Sequence, residues 1–405
     1  MTPAFPPSFR RALFRGVSAS LVGALALSGC TSAPKKAAPT GPPVPTSSTS
    51  TVAPPTKPVV VPPPVFTATA MPPALAAVIK QLYRGGSVRS SPSASTALRK
   101  RKPVKASQPV VVKGAVASWK GVPIAVVTRG KDVTLAVAAP TWRVVCGWWP
   151  SVGVSAPSLG GGPRRVLMVG SDARPGQAVE GARADSLHIV GFDGRGRGGV
   201  LGIARDAYVP LSTGGQGKIN SALTSGPKAL QRTVVGATGV PLDGYLITGF
   251  FGFKQLINGI GGLRLNAPVA VRDTKSSANV KAGPNLLSGV QALSYGRARY
   301  AVPGGDFGRS ANQGLLIMAA TGFARNAGPT KLPGILRAAS PRIGTNMSAE
   351  QVLTFAAGAY VTPLRNVHNR VAAGSLGFTS DGQSIVLFDA KARRLFADIR
   401  NGSLS

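Results

Sequence analysis

The sequence predicts an α/β domain over residues 160–401, preceded by a small β-rich accessory region over residues 66–155. Three observations lead to this fold class. Beyond residue 160, short β-branched runs alternate with stretches whose apolar residues recur at helical spacing. Before residue 155, the runs are strand-like and separated by Gly and Pro. Hydrophobic residues make up 43% of the chain, which is enough to bury a sizeable core.

The strands are predicted from short apolar runs between turn residues. In the accessory region these runs are Val110–Val112, Ile124–Val127 and Val133–Val137. In the main domain they are Arg165–Gly170, Ser186–Phe192, Val200–Ala204 and Gly244–Thr248. A Gly-rich turn at Asp193-Gly194 joins the second and third of these. Near the end of the chain, Asp381-Gly382 separates two further strand-like runs.

The helices are predicted from apolar spacing and capping residues. One passes through Leu230, Val234 and Ala237, and another through Leu315, Ala319 and Phe323. Ser348 and Gln351 fit a capping box for a helix that runs to about Tyr360. The last helix is predicted over Lys391–Ile399.

The first residues have the pattern of an export signal. Arg10, Arg11 and Arg15 precede a short apolar run, and Leu27-Ser28-Gly29-Cys30 resembles a bacterial lipobox. An ordinary signal peptide with a chance Cys is the alternative. We predict a lipoprotein signal peptide over residues 1–29 and lipidation of Cys30, which would anchor the protein to the outer face of the cytoplasmic membrane. Residues 30–65 then form a Pro/Ser/Thr-rich linker.

The charge balance predicts anionic partners. The chain has 47 Lys and Arg against 13 Asp and Glu, a formal net charge of +34. Export argues against nucleic acid as the partner, and no nucleic-acid motif is recognised. The cluster Arg99-Lys100-Arg101-Lys102 is either part of a solvated linker or a patch that attracts anionic lipid or wall polymer.

Two residues with reactive side chains are predicted to be structural. Cys146 has no partner for an intrachain disulfide if Cys30 is lipidated, and its neighbours are apolar, which favours a buried thiol. His188 alternates away from Asp185 along its predicted strand, which favours a packed role.

Charged and polar residues cluster where the predicted elements of the main domain begin and end. They are Asp172, Arg174, Arg183, Asp185, Arg205, Asp206, Lys218, Asn220, Arg297, Arg299, Asp306 and Arg309. If extended, Arg297 and Arg299 project to one face, and Asp306 and Arg309 come just before a helix N-terminus.

Guanidinium groups bind phosphate oxygens bidentately, and two carboxylates can hold a divalent cation that neutralises the same phosphates. Surface salt bridges are the alternative for any single pair. The whole set predicts a site that binds phosphate groups.

Across about residues 164–320 the chain resembles the LytR–CpsA–Psr phosphotransferases. The resemblance rests on an ordered series of short stretches: Ser171–Arg174, Arg183–Ser186, Arg205–Tyr208, Lys218–Asn220, Gly261-Gly262, Leu286–Arg299 and Asp306–Arg309. It implies a single domain in which a central mixed sheet is flanked by helices. It also implies transfer of a glycan phosphate from a polyprenyl-pyrophosphate carrier to a peptidoglycan hydroxyl.

The resemblance assigns roles to individual residues. Asp172 and Asp185 match the aspartates linked to Mg²⁺ (or Mn²⁺). The arginines that match the pyrophosphate site are Arg183, Arg205, Arg297 and Arg299, and the late motif is matched by Asp306, Arg309 and Gln313. Asp172 and Asp206 are both candidates for the base that activates the acceptor hydroxyl. Apolar segments such as Ile247–Phe253 either line a groove for the lipid tail or belong to the ordinary core.

The chain departs from the family pattern at four positions. Ala204 stands where Pro is usual, Ala207 where Thr is usual, Asn258 where Asp is common and Asn312 where Arg is common. Losing a cation near the phosphates would weaken binding. A protein that binds the lipid-linked glycan without transferring it is therefore an alternative to the enzyme. The sequence does not distinguish wall teichoic acid, capsule and arabinogalactan as the transferred polymer.

Overall fold

The chain is described by a computed structural model that covers residues 65–160, 162, 164–174 and 176–405. The predicted signal peptide over 1–29, the lipidation site at Cys30 and the linker up to residue 64 lie outside these residues. Contacts join the described residues into one unit. None of the described helices is both long and apolar enough to cross a bilayer.

Helices and strands alternate along the main domain, as the sequence predicts. The helices are α1 Pro73–Arg84, α2 Pro92–Leu98, α3 Pro227–Thr238, α4 Phe250–Gly259, α5 Gly289–Arg297, α6 Asp306–Ala327, α7 Leu332–Ala339, α8 Ala349–Val361 and α9 Ala390–Ile399. The capping box of α8 forms as predicted, with Ser348 and Gln351 exchanging hydrogen bonds.

The described residues form twenty β-strands. They are β1 Phe66–Thr69, β2 Val110–Trp119, β3 Val122–Arg129, β4 Asp132–Ala138, β5 Trp142–Trp149, β6 Val154–Ser158, β7 Arg164–Ser171, β8 Ala184–Phe192, β9 Gly198–Ile203, β10 Tyr208–Pro210, β11 Gln216–Lys218, β12 Gly244–Gly249, β13 Leu263–Ala267, β14 Val271–Asp273, β15 Ala278–Val280, β16 Gly283–Leu287, β17 Gly344–Thr345, β18 Val367–Ala372, β19 Gly374–Phe378 and β20 Ser384–Phe388.

The main domain is built on a mixed sheet with the strand order β17-β12-β7-β8-β9-β18. β12 runs parallel to β7, and β18 runs parallel to β9, whereas β8 is antiparallel to both of its neighbours. β7, β9 and β12 therefore end, and β8 begins, at one edge of the sheet. We call this the charged edge, because Asp172, Asp185 and Arg205 lie there. This arrangement confirms the central mixed sheet.

Both faces of the main sheet are covered by helices. One face packs its apolar side chains against α3 and α9, through residues such as Leu230 and Phe396. The other face packs against α7 and α8, with residues of α6 alongside, through residues such as Leu332 and Leu353. Successive strand residues point to opposite sides of the sheet, so the strands supply apolar side chains to both cores. His188 on β8 and Cys146 on β5 are fully buried, as predicted.

The accessory region contains more structure than the sequence predicted. Its strands form a six-stranded sheet in the order β1-β2-β3-β4-β5-β6, and α1 and α2 cover one face of it. Helix α1 was missed, although Leu75, Ile79 and Leu82 have helical spacing and Pro73 stands at the first position, where Pro is favoured. The opposite face, with Ile124 and Val126, shares a buried core with the main domain. Residues 66–155 are therefore not a spacer.

Part of the basic cluster at residues 99–102 is structural. The Arg101 guanidinium donates hydrogen bonds to the carbonyl oxygens of Leu82, Leu98 and Gly86 at 2.9, 2.8 and 2.7 Å. These carbonyls lie at or just beyond the ends of α1 and α2, where cations stabilise helix C-termini. Arg101 thus holds the two helices together, while Arg99, Lys100 and Lys102 are exposed.

Candidate active site

Arg205 lies at the centre of a cluster of charges at the charged edge. It lies two residues after the end of β9, and its Nη1 is 2.5 Å from Oδ1 of Asp185. Its Nε is 3.6 Å from Oδ2 of Asp206 and 4.0 Å from Oδ1 of Asp306. Lys218 Nζ is 3.6 Å from Oδ1 of Asp206. The cluster thus joins residues that are far apart in the sequence but were all predicted to belong to one site.

Arg309 extends this cluster into the interior. It lies in the first turn of α6, is only 7% exposed, and its Nη2 is 2.9 Å from Oδ1 of Asp306. Burial lowers the pKa of Arg309, whereas at Arg205 the carboxylates of Asp185, Asp306 and Asp206 outweigh burial and raise the pKa. Both guanidinium groups remain charged, because the ordinary pKa of arginine lies far above neutral pH.

Some polar atoms of the cluster are buried without a hydrogen-bond partner. Within the described part of the chain these include Arg205 Nε and Arg309 Nε. An unsatisfied buried polar atom costs free energy. Such atoms are expected where a polar ligand completes the hydrogen bonding.

Arg297 and Arg299 approach the site from a different element. Arg297 is the last residue of α5, so the condition that both residues be extended is not met, and the inference that they project to one face does not apply. Its guanidinium lies 5.0 Å from the ring centroid of Phe250, and that of Arg299 lies 4.8 Å from the ring of Tyr300. Cation–π contacts of this kind orient a guanidinium and leave its N–H groups able to bind oxygen. Asp306 likewise lies within α6, as its first residue, and not before it.

Asp273 is a residue of the site that the sequence analysis missed. Its carboxylate is 3% exposed and accepts hydrogen bonds from the backbone N–H groups of Lys275, Ser276, Arg299 and Tyr300, at 2.9 to 3.2 Å. Burial alone would raise the pKa of Asp273, but these hydrogen bonds outweigh it and lower the pKa. Asp273 therefore fixes the backbone that carries Arg299. The only signal in the sequence is an acidic residue in an otherwise basic loop.

A cavity of about 760 Å³ opens beside these charges. Ligand sites commonly have volumes of ~300–1,000 Å³. The cavity crosses one face of the main sheet, from Asp185 on β8 over β7 to Leu246–Gly249 on β12. Apolar side chains of α4 to α8 line most of the rest of its wall. They include Phe253, Leu256, Leu293, Ile317, Leu336 and Phe355.

The structure brings six of the predicted site residues to the cavity wall. They are Asp185, Arg205, Arg297, Arg299, Arg309 and Gln313. Asp206 and Asp306 do not line the cavity but lie 3.6 and 4.0 Å from Arg205 Nε. Lys218 in turn lies 3.6 Å from Asp206. Asn220 is buried. Its backbone N–H donates a hydrogen bond to the Arg205 carbonyl at 3.2 Å, so it lies next to Arg205. Arg174 and Arg183 are exposed and do not line the cavity.

The two aspartates predicted to hold a metal lie at the paired ends of β7 and β8. Asp172 follows Ser171, which pairs with Ala184, the residue before Asp185. Asp172 Oδ1 accepts the backbone N–H of Arg183 at 2.8 Å. No group of three His, Cys, Asp or Glu residues suited to a metal is found within the described ranges. Mg²⁺ needs only one or two carboxylates when substrate phosphates complete its shell, so the pair fits this ion.

Two departures from the family pattern have a structural explanation. Asn258 Oδ1 accepts the backbone N–H of Gly289 at 2.7 Å, so this side chain links α4 to the start of α5. Asn312 is buried on α6 but does not line the cavity, whereas its neighbour Gln313 does. The Asn312 side chain itself therefore contributes nothing to the cavity wall.

His188 gives a testable pH dependence. It is buried beneath the site with Nε2 3.0 Å from the Ser310 carbonyl, and burial lowers its pKa from 6.5 to about 4. The unfolded chain therefore binds more protons between these pH values, so the free energy of unfolding falls as the pH falls through this window. The loss approaches ~3 kcal/mol near pH 4. Chemical denaturation at pH 7 and pH 4.5 should show a smaller loss in His188→Gln, and an equal loss in both proteins would contradict the assignment.

Comparison with known proteins agrees on one family over this domain. The model of the LytR_cpsA_psr family matches residues 152–394. TagU of Enterococcus faecalis, named a polyisoprenyl-teichoic acid–peptidoglycan teichoic acid transferase, is 33% identical over 158 residues, or 38% of this chain and 52% of TagU. TagV of Bacillus subtilis, with the same descriptive name, is 32% identical over 197 residues, or 46% of this chain and 50% of TagV.

A solved structure has the same fold. The crystal structure of B. subtilis TagV is 26% identical to this chain and has a TM-score of 0.51, and the match covers 60% of this chain and 99% of that one. In the sequence comparisons, this chain spans about half the length of the two transferases that it matches.

Proposed function

The chain belongs to the LytR_cpsA_psr family, and from this premise we propose that it transfers a glycan phosphate from a polyprenyl-pyrophosphate carrier to a hydroxyl of peptidoglycan. The observation that carries the proposal is the cavity, because it combines a cationic end with a long apolar wall. A polyprenyl pyrophosphate has the matching division into a charged head and an apolar tail. The names of the two transferases support the same substrate class.

The apolar wall suits the tail of the carrier. The segment Ile247–Phe253, which the sequence left open between groove and core, contributes Ile247, Phe250 and Phe253 to the cavity. α6 lines it from Arg309 to Ala324, a length of roughly 22 Å at ~1.5 Å per residue. Burying a hydrocarbon chain there gains about 0.8 kcal/mol per CH₂ group. The tail would thus supply affinity while the head is held for reaction.

The cationic end suits the pyrophosphate. We assign Arg205, Arg297 and Arg299 to its oxygens, with Arg309 and Gln313 at the inner wall. In the transfer, the acceptor oxygen forms a bond to the glycan-linked phosphorus, and the bond from that phosphorus to the bridging oxygen breaks. Polyprenyl phosphate leaves with the electron pair. Arginines act here by positioning and by neutralising the charge on the leaving phosphate.

The acceptor hydroxyl must lose a proton during transfer. Of the two candidate bases, Asp206 is held within the cluster by Arg205 and Lys218, whereas an oxygen of Asp172 accepts the Arg183 backbone N–H. Neither of them lines the cavity, so the cavity wall does not distinguish the two candidates. Arg174, Arg183, Lys218 and Asn220 are proposed to contact the glycan or to support the cluster at the charged edge.

We also propose Mg²⁺ (or Mn²⁺) as the cofactor, held by Asp185 together with Asp172. A divalent cation at this position would neutralise phosphate oxygens that the arginines do not contact. Lipidation of Cys30 remains our proposal for the anchor, with the folded domain outside the cytoplasmic membrane. Peptidoglycan is then the acceptor on the same side.

A binding protein without transfer activity was the alternative, and Asn312 was its motivation. Asn312 does not line the cavity, but four arginines of the site do, namely Arg205, Arg297, Arg299 and Arg309, so the cationic end is retained. Transfer is therefore the function that we favour.

The proposal is tested by incubating the purified protein with Mg²⁺, a polyprenyl-pyrophosphate-linked glycan and peptidoglycan fragments. We expect release of polyprenyl phosphate that requires both the metal and the acceptor. Arg297→Ala and Asp185→Ala should each reduce the release at least tenfold, because each removes a charge from the wall of the site. Unchanged release in both variants would show that the site is assigned wrongly, and tight donor binding without release would favour the binding protein.

A further inference from the structure

The accessory region contributes a side chain to the cavity of the main domain. Trp119 is the last residue of β2, is only 2% exposed and lines the cavity wall. It belongs to the same buried cluster as Val352 and Phe355 of α8, which also line the cavity. The family match begins at residue 152, so Trp119 lies outside the matched segment.

The turn after Trp119 is fixed to the main domain by hydrogen bonds. The backbone N–H of Lys120 donates to Ser340 Oγ at 3.0 Å, and Lys120 Nζ donates to the Ser340 carbonyl at 2.7 Å. Ser340 directly follows α7, whose residues Leu336 and Ala339 also line the cavity. The indole of Trp119 is therefore held by the hairpin β2–β3 and by α7 together.

Trp119 lies toward the end of the cavity that is farther from the charged edge, where Arg342 also belongs to the wall. Along the sheet, the cavity wall passes from Asp185 on β8 across β7 and β12 to Ile343, which immediately precedes β17. Ile343 is three residues after Ser340, where the hairpin is attached. β8 and β17 are three strand positions apart, which is roughly 14 Å at ~4.8 Å per strand.

The indole N–H of Trp119 is buried and has no hydrogen-bond partner among the described residues. A buried Trp N–H usually finds an acceptor. The neighbouring cavity residues Leu336, Ala339 and Val352 offer only apolar side chains. The ring therefore acts as a bulky apolar surface at this end of the cavity.

We propose that Trp119 is the end wall of the cavity and sets how many isoprene units of the lipid carrier can be buried. This inference rests on the proposed function, because it assumes that the tail enters the cavity from the cationic end. Each added unit then increases affinity until the tail reaches the indole, and further units stay outside. The accessory region would thereby determine specificity for carrier length, although it carries none of the charged groups.

The test measures equilibrium binding of prenyl pyrophosphates, from geranyl to decaprenyl, to the full chain and to Trp119→Ala. For the full chain we expect affinity to rise with length and then reach a plateau. In Trp119→Ala the plateau should come at a longer chain, with about tenfold tighter binding of the longest ligands and unchanged binding of the shortest. Trp119→Phe keeps a smaller ring, so its plateau should lie between the two, and it provides the test if the alanine variant does not fold.

Trp142→Ala is the matched control. Trp142 lies in the same sheet but packs on the opposite face, with α1 and α2, and does not line the cavity. Its removal should leave the dependence on chain length unchanged. Identical plateaus in the wild type and both Trp119 variants would overturn the inference about Trp119 alone. Failure of the wild type to bind any prenyl pyrophosphate would instead contradict the proposed function.

Discussion

Replacing Arg205 with Ala should lower kcat/KM for the release of polyprenyl phosphate by about 10²–10³-fold, which corresponds to ~3–4 kcal/mol. Among the described residues, Arg205 is the one guanidinium that both lines the cavity and lies within 4.0 Å of three carboxylates. Without it, Asp185, Asp206 and Asp306 would repel one another and the phosphates of the donor. The measurement is the rate of release at several donor concentrations, so that kcat and KM are separated.

Two further variants show whether the effect comes from the geometry of Arg205. Arg205→Lys keeps the charge but loses the planar fork, so we expect it to recover only part of the rate. Arg264→Ala removes an exposed arginine of β13 that does not line the cavity, and release should be unaffected. Thermal denaturation of each variant separates loss of folding from loss of transfer. A folded Arg205→Ala protein with the rate of the wild type would contradict the central role of Arg205.

Asp273→Ala should have the second largest effect, although this carboxylate accepts only backbone hydrogen bonds. Its removal leaves four backbone N–H groups without their acceptor, including that of Arg299. Hydrogen bonds to a charged group contribute about 1.5–3 kcal/mol each, so the loop should lose its fixed conformation. We expect transfer to fall by about 10²-fold, because Arg299 would no longer be held at the phosphates.

Asp381→Ala is the matched control for Asp273. Asp381 also accepts hydrogen bonds within a turn, from Thr379 and from Gln383, but this turn joins β19 and β20 away from the cavity. Its removal should leave transfer unchanged. Asp273→Asn retains one oxygen acceptor and should recover part of the rate. The assignment fails if Asp273→Ala folds and transfers at the rate of the wild type.

The sequence predicted the main domain well because its signals are local. Apolar runs identified β7, β8 and β12, and the capping box at Ser348 identified the start of α8. The charged residues at strand ends predicted the site, since the ends of parallel strands meet at one edge of a sheet. Arg205 and Asp185 are 20 residues apart in the chain and form an ion pair because the start of β8 lies beside the end of its antiparallel neighbour β9.

The remaining features depend on tertiary contacts that no local pattern encodes. Trp119 has the periodicity of any buried strand residue, and only the folded chain places it at a cavity lined by other elements. Asp273 looks like an ordinary turn residue until the loop around Arg299 folds against it. The helical conformation of Arg297 was not predicted, because apolar spacing did not indicate a helix over Gly289–Arg297.

The most direct test of the whole account is a structure of the protein with a bound polyprenyl pyrophosphate and Mg²⁺. We predict that the pyrophosphate contacts Arg205, Arg297 and Arg299, and that the tail follows the cavity along α6 toward Trp119. A pyrophosphate bound elsewhere on the basic surface, with the cavity free of the tail, would contradict it.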